Sequence, residues 1–352
     1  MTSWDHGYPV EDAYPPAWHA FQSPAHLRAA CAIQGVAWEV GPGTPMSICD
    51  VGCGTGYTAS VIAAGGPEWS VLGLDYNPAH IAEARSLAAE AGLTNARFEE
   101  ADLTELDDAA IDRLPEFDMM MAHGVWSWVD DRVRAGVLRL LRRRLKPGGL
   151  VVMTYNVLPG AAAGIGLARL VRGALLGRGT LDERLDAAKE RIGALVQAEA
   201  RHLLPSAWRG ILLGELGIAR QGYLLHEFST AHWRPAFFAD VAAAMAEAKL
   251  DYVGSATLDE NVPAMTMTEA QRSIWEAAPD LAAKELIKDT CVSRAFRRDV
   301  FMRGPRPVSR DRAVDTILLA SASATPGERK LAAQAGVAEL PPHILEPMRA
   351  AL

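Results

Sequence analysis

The sequence predicts an α/β fold in which a parallel sheet carries helices on both faces. Two observations point that way. Short apolar runs alternate with helical stretches from residue 46 to residue 156, the pattern of strands joined by crossover helices. The first of those runs ends in DVGCGTGY (50–57), three glycines in five positions, where such a sheet turns its strand ends toward a ligand.

Taken in order, 46–51 is a buried strand, set off by the breaker run GPGTP (41–45). TASVIAAG (58–65) reads as a helix. A strand, a glycine turn and a helix together present backbone N–H groups to a ligand. Gly52, Gly54 and Gly56 do not complete G-x-G-x-x-G, because Tyr57 stands where the third glycine belongs; a dinucleotide site is disfavoured. A second strand, 70–74, ends in Asp75, a carboxylate placed to accept both hydroxyls of a ribose. A third at 97–100 is followed by Asp102 and Leu103, and a fourth at 117–122 runs out at His123. LKPGG (145–149) turns into a fifth strand, LVVMTYN (150–156), and the helices between are 78–92 and 130–145.

These pieces, in this order, resemble a class I S-adenosylmethionine (SAM) methyltransferase over residues 46–156. The resemblance implies a Rossmann-like seven-stranded sheet and SAM as methyl donor, leaving as S-adenosylhomocysteine (SAH). It implies that Gly52, Gly54 and Gly56 pass close to the methionine part and that Asp50 helps hold the amino-acid end. Asp75 would hold the ribose, Tyr76 lie on the adenine face, and Asp102 accept the adenine amino group beside the Leu103 backbone. AYPPAWHAFQSPAHLRAACAIQG (13–35), HGVWSWV (123–129), TYNVLPG (154–160), the stretch 226–256 and FRRDVFMRG (296–304) narrow it. This set is similar to bacterial methyltransferases with a methyltransferase regulatory domain, among them rickettsial outer-membrane-protein lysine methyltransferases. The likeness runs to about residue 310, and the tail is shorter than in longer members.

The rest of the chain divides around that core. The run 233–250 has a helical period, with Phe237, Phe238, Val241, Met245 and Ala248 on one side. LDYVGSATL (250–258) and FRRDVFMR (296–303) read as the closing sixth strand and an antiparallel seventh. The expected organisation is an aromatic arm (1–19), the core (20–157), an inserted helical module (158–232), core completion (233–304) and a short helical tail (305–352), with GERKLAAQAG (327–336) as a tail helix. Within the module, 181–204 reads as an amphipathic helix that Glu199 interrupts. Leaving after the fifth strand, the module would roof the acceptor pocket; packing or a homodimer contact is its alternative role.

Methyl transfer needs an acceptor held in line in a dry pocket, and an amine must first lose a proton, since lysine titrates near 10.4. His123 is a candidate for that base through its side chain, or for SAM binding through its carbonyl. Trp126 and Trp128 could wall a cation-tolerant pocket together if their segment is extended; if it is helical, at most one faces the site. Tyr155 and Asn156, ending the fifth strand, are placed to align an amine. His226 and Glu227 precede Ser229-Thr230, which reads as a helix cap with Pro235 early in the helix; the pair is either a cap region or a catalytic dyad, and His226 is a candidate substrate contact. Of the arm's aromatics, Trp4, Tyr8, Tyr14, Trp18 and Phe21, Tyr14 is the one expected over SAM.

The net charge of −8 over 352 residues leaves no basic footprint for nucleic acid. Cys31, Cys49, Cys53 and Cys291 form no CxxC pair, so neither a metal site nor a disulfide framework is expected, and free thiols suit the cytosol. The N-terminus has no signal-peptide pattern and no run is long and apolar enough to span a membrane. The expected activity is methyl transfer to nitrogen, with protein lysine as acceptor; a small-metabolite N- or O-methyltransferase and a non-catalytic SAM-binding protein are the alternatives.

Overall fold

The computed structural model describes residues 17–40, 43–214, 221–292, 294–318, 330–333 and 336–339. Tyr14 lies outside them, as do Trp4 and Tyr8. Its centre is a seven-stranded sheet: β1 (Ser47–Val51), β2 (Ser70–Asp75), β3 (Ala96–Glu100), β4 (Phe117–Ala122), β5 (Leu145–Asn156), β6 (Asp251–Ser255) and β7 (Phe296–Met302). The order across it is β3-β2-β1-β4-β5-β7-β6, and β7 runs antiparallel to both neighbours. The chain reverses direction across the sheet between β1 and β4, which opens a crevice at their carboxyl ends.

Strand parity explains the core. Met119 and Met121 of β4 pack on one face with Ile48, Ile62, Ile81, Val152 and Val300. Met120 packs on the other with Val51, Leu140, Met153, Val241 and Phe301. A strand buried on both faces needs this unbroken apolar run. On the flanks lie α1 (Pro24–Ile33), α2 (Tyr57–Gly65), α3 (Pro78–Glu90), α4 (Asp108–Asp112) and α5 (Asp131–Arg144). The Asn77 side chain caps α3 ahead of Pro78. Asp130 caps α5, whose last turn holds Arg142, Arg143 and Arg144 against the helix dipole.

Between β5 and the last strands stand α6 (Ala162–Leu175), α7 (Leu181–Gln197), α8 (Ala207–Leu212) and α9 (Gln221–Ser229). They share an apolar cluster of their own, built on Leu167, Val171, Leu185, Ile192, Leu212, Leu224 and Phe228. Thr180 and Glu183 form a capping box at the start of α7. That helix stops at Gln197 rather than 204, because Glu199 sits at φ +55 and a left-handed residue ends the ladder.

Three expectations are corrected further on. The helix read over 233–250 is α10 (Phe238–Glu247). Residues 234–236 instead run beside the end of β5, where Ala236 N donates to the Asn156 carbonyl at 3.0 Å, and Pro235 disfavours a helical residue before it. Ser229 therefore closes α9 instead of capping α10, and His226 and Glu227 lie inside a helix. A helical hairpin that the sequence reading did not pick out follows β6: α11 (Pro263–Thr266), α12 (Glu269–Glu276) and α13 (Leu281–Cys291). Its inner face is charged. Fully buried Arg297 of β7 donates to Asp289, Asp299 and Glu285 at 2.7–3.0 Å.

In the tail, α14 (Arg310–Leu318) is helical, but β8 (Lys330–Ala333) pairs antiparallel with β9 (Gly336–Glu339) in place of the helix expected at 327–336.

Candidate functional site

A cavity of about 520 Å³ lies at the carboxyl ends of β1, β2, β4 and β5. Its floor includes Asp50, Gly52, Gly54, Asp75, Tyr76, Asp102 and Leu103. Its walls include His123, Trp128, Asn156, Phe296 and Arg298, and its roof comes from Trp208, Ile211, Tyr223 and Glu227 with the segment from Ala17 to Gln22 closing one side. Gly56, Trp126, Tyr155 and His226 are not among the lining residues.

The glycine turn is built inward. Gly52 and Cys53 both donate their N–H to the Leu74 carbonyl, at 2.8 and 3.0 Å. Gly54 N donates to Asp75 Oδ2 at 2.9 Å, and Gly56 N to the Cys53 carbonyl at 3.0 Å. These four N–H groups are used within the protein and are not offered to a ligand. Gly54 and Gly56 serve different ends. A Cβ on Gly54 meets nothing within 4 Å, so only the cavity lies over it. A Cβ on Gly56 would come within 2.6 Å of both Ala84 Cβ and Phe98 Cε1. Gly56 is thus required by the packing of α3 and β3, at φ +73, rather than by a ligand.

Asp75 ties this turn together. Its Oδ1 accepts from Asn77 N at 2.9 Å and lies 3.4 Å from His80 Nδ1, while Oδ2 takes Gly54 N. A carboxylate has about four acceptor positions, so capacity toward the cavity remains. Asp102 Oδ1 accepts from Thr104 N and Oγ1, both at 2.8 Å. Asp50 is deeply buried; burial first, then the negative charge of Asp75, pushes its carboxyl up to about 7. Cys53 also lines the cavity, and burial raises its thiol well above the usual range, so it is inert there.

His123 is held by Thr154 of β5, whose Oγ1 accepts Gly124 N at 2.9 Å and lies 3.0 Å from His123 Nδ1. Thr154 is fully buried, so its hydroxyl proton needs an acceptor, and Nδ1 supplies one. The imidazole proton then belongs on Nε2. Burial, followed by the neighbouring His19 and Arg298, lowers His123 to about 3, so the ring is neutral at pH 7. His19 sits edge-on 5.0 Å away, and Arg298 lies over Phe21 and Phe296 at 5.0 and 5.5 Å from their centroids.

The two tryptophans after β4 diverge because their segment is a turn, with Trp128 N donating to the Val125 carbonyl at 3.0 Å. Only Trp128 reaches the cavity. Trp126 packs on the far face of the sheet, with the Arg134 guanidinium 5.7 Å from its ring centroid and Arg134 Nε on its carbonyl. Trp128, Trp233 and Trp208 form a chain with centroids 5.8 and 5.6 Å apart.

Alternation along β5 separates the next pair. Asn156 faces the cavity, its Oδ1 accepting the Trp233 indole N–H at 2.9 Å. Tyr155 points the opposite way and donates its hydroxyl to Asp299 Oδ2 at 2.6 Å, so it takes no part in the cavity. One residue apart on α9, the expected substrate contact passes from His226, which is buried off the cavity, to Glu227, which lines it. Glu227 accepts hydrogen bonds from Tyr223 and Trp208, and burial pushes its carboxyl up to about 7.

The sequence reading missed His19, Trp208, Tyr223 and Arg298 as lining residues. Arg298 alone carried a findable signal, standing opposite Thr154 in the β5–β7 register; the others depend on tertiary docking. Among the described residues no group of three His, Cys, Asp or Glu side chains is set to hold a metal, and no helix is long and apolar enough to cross a membrane.

Comparison with known proteins finds methyltransferase likenesses over both parts of the chain. The family described as "Methyltransferase domain" matches residues 43–188, and "Predicted methyltransferase regulatory domain" matches 220–303. An uncharacterized protein of Synechocystis sp. is 30% identical over 307 residues, 86% of this chain and 59% of that one. PKMT2 from Rickettsia typhi, solved in complex with AdoHcy, shares the fold with TM-score 0.69 at 22% identity, over 86% of this chain and 57% of that one. A trans-aconitate 2-methyltransferase of Methylobacterium nodulans is 34% identical over 109 residues, 31% of this chain and 38% of that one. The chain thus spans somewhat more than half the length of the first two.

Proposed function

We propose that the chain, which matches a methyltransferase domain and a methyltransferase regulatory domain, moves a methyl group from SAM to an amine, with protein lysine as the acceptor class. The observation that carries this reading is the single cavity shared by a nucleoside-type floor and an aromatic wall. Asp75 and Asp102 supply acceptors for ribose and adenine, Tyr76 an aromatic face beside them, and Gly54 an open backbone edge for the methionine chain. Asp50, poised near neutrality, gains its charge when an ammonium group approaches.

Bound SAM would supply an electrophilic methyl carbon. The protein's share is to hold the acceptor in line, exclude water and accommodate a cation. Trp128 offers a ring face for that cation. His123 is unsuited to take a proton, because its cationic form is opposed by burial and by Arg298; it acts as a neutral donor through Nε2. The resemblance to rickettsial lysine methyltransferases, and the fold shared with PKMT2 of Rickettsia typhi, support a protein acceptor. A cytosolic location belongs to the same proposal and suits four free thiols.

A small-metabolite acceptor is the second reading, favoured by the enclosed roof and by the relative named for trans-aconitate. The test is SAH titration by calorimetry, followed by transfer of labelled methyl from SAM into a lysate split by size. Base-stable label on lysine in the protein fraction is expected. Label confined to small molecules would favour the second reading, and failure to bind SAH would sink both.

A further inference from the structure

We propose that Glu227 receives the acceptor's ammonium group and takes its proton, within a pocket walled by Trp128, Trp208 and Tyr223. This rests on the amine-methyltransferase reading and names the group that reading lacks.

Glu227 is a carboxylate at the cavity, and among the described residues no cation explains it. It is buried in the roof, on α9. Its two donors, Tyr223 one helical turn earlier and Trp208 of α8, are neutral. Among the described residues no charged side chain contributes to its protonation; burial and those two hydrogen bonds account for it. Its helix neighbour His226 is buried off the cavity. An acid taken out of water and left without a counter-charge costs stability, and folds keep such groups where a ligand brings the charge.

The other acids at the cavity, Asp50, Asp75 and Asp102, lie at the floor, away from the aromatic roof. Asp75 holds Gly54, Asn77 and His80, Asp102 holds Thr104, and Asp50 lies at the end of β1 beneath the glycine turn. Asn156 has its oxygen on the Trp233 indole. Glu227 alone stands among aromatic rings, where an alkylammonium finds ring faces to bind and where burial lowers its own pKa. Burial holds the Glu227 carboxyl at about 7, which narrows its distance from an amine. The step breaks one N–H bond of the ammonium and forms one O–H bond on Glu227. The nitrogen keeps the electron pair for attack, and the carboxyl later returns the proton to water.

The test uses the full chain saturated with SAH and n-butylammonium as a probe for a lysine side chain, followed by tryptophan fluorescence. Wild type is expected to bind the probe, more tightly as pH rises through about 7 and level above it, as Glu227 ionises. Glu227→Gln is expected to bind it at least tenfold more weakly, with no pH step, while binding neutral n-pentanol and SAH within twofold of wild type. Undiminished butylammonium binding in the variant overturns the proposal. So does a wild type that ignores the probe or shows a flat pH profile, whether or not the variant folds. If SAH fails to bind wild type, the cofactor reading falls first; SAH bound without the amine refutes Glu227 alone.

Discussion

Replacing Asp50 by Asn should make the ligand-free protein more stable and a poorer binder of SAM. Asp50 is buried beside Asp75, and its carboxyl is raised from 3.8 to about 7. A raised acid opposes folding once it must ionise. The penalty is absent below the unfolded pKa, grows as pH rises from about 4 to about 7, and is complete above that. At about 1.4 kcal/mol for each pH unit, the full penalty is about 4 kcal/mol at pH 8 and about 1.5 kcal/mol at pH 5. Asp50→Asn keeps the shape and removes the charge, so urea unfolding of the ligand-free protein should show a gain approaching those values, larger at pH 8. Calorimetry at pH 8 should show SAH bound at least tenfold more weakly, because the variant offers no charge to the ligand's ammonium. For the wild type, SAH affinity should rise with pH up to about 7 and then level. A gain that is equal at both pH values, or no gain at all, would refute the idea that Asp50 is held back from ionising by its surroundings.

Four further changes separate packing from ligand contact. Asp75→Ala should abolish measurable SAH binding and cost about 2–4 kcal/mol in urea unfolding, since it strands the N–H groups of Gly54 and Asn77; unchanged affinity would remove Asp75 from the cofactor site. Gly54→Ala should stay folded, at a cost of about 1 kcal/mol for its left-handed backbone, and lose SAH affinity. Gly56→Ala should lose about 1–3 kcal/mol of stability through its clash with Ala84 and Phe98, with affinity retained by the folded fraction; the reverse pattern would overturn the division of labour in the turn. Tyr155→Phe should cost about 1–3 kcal/mol by taking a donor from Asp299, and leave SAH affinity unchanged.

What was legible in the sequence is what depends on neighbours along the chain. The strands that carry Asp50, Asp75 and His123 announced themselves because a strand buried on both faces is an unbroken apolar run. What failed needed parity, register or a partner from far away. Tyr155 and Asn156 were taken together, but neighbours on a strand face opposite ways, and only Asn156 reaches the cavity. Trp126 and Trp128 would have shared a face on a strand; a turn parts them. The third glycine looked like its two companions, yet Phe98, more than forty residues on, is what excludes a side chain there. Glu285, Lys288 and Asp289 lie on a helix that the sequence reading did not pick out, and they are buried, because Arg294 from the loop before β7 and Arg297 from its start meet the two acids while Lys288 pairs with Glu285. On α9 the sequence reading named His226 as the substrate contact, whereas Glu227, one residue on, lines the cavity.

The position of β7 bears on how such a chain can be inherited. It lies between β5 and β6, and both β6 and β7 belong to the 220–303 segment, while β1 to β5 lie in the 43–188 segment. The boundary between the two named parts therefore runs down the middle of one hydrogen-bonded sheet. A gene cut there would leave β5 with seven register positions open along its edge, an invitation to pair with another molecule. It would also part Tyr155 from Asp299. The two segments are one unit of exchange: recombination that brings in a new α9 at the cavity's roof must carry the last two strands with it, and those strands must match the old edge residue by residue.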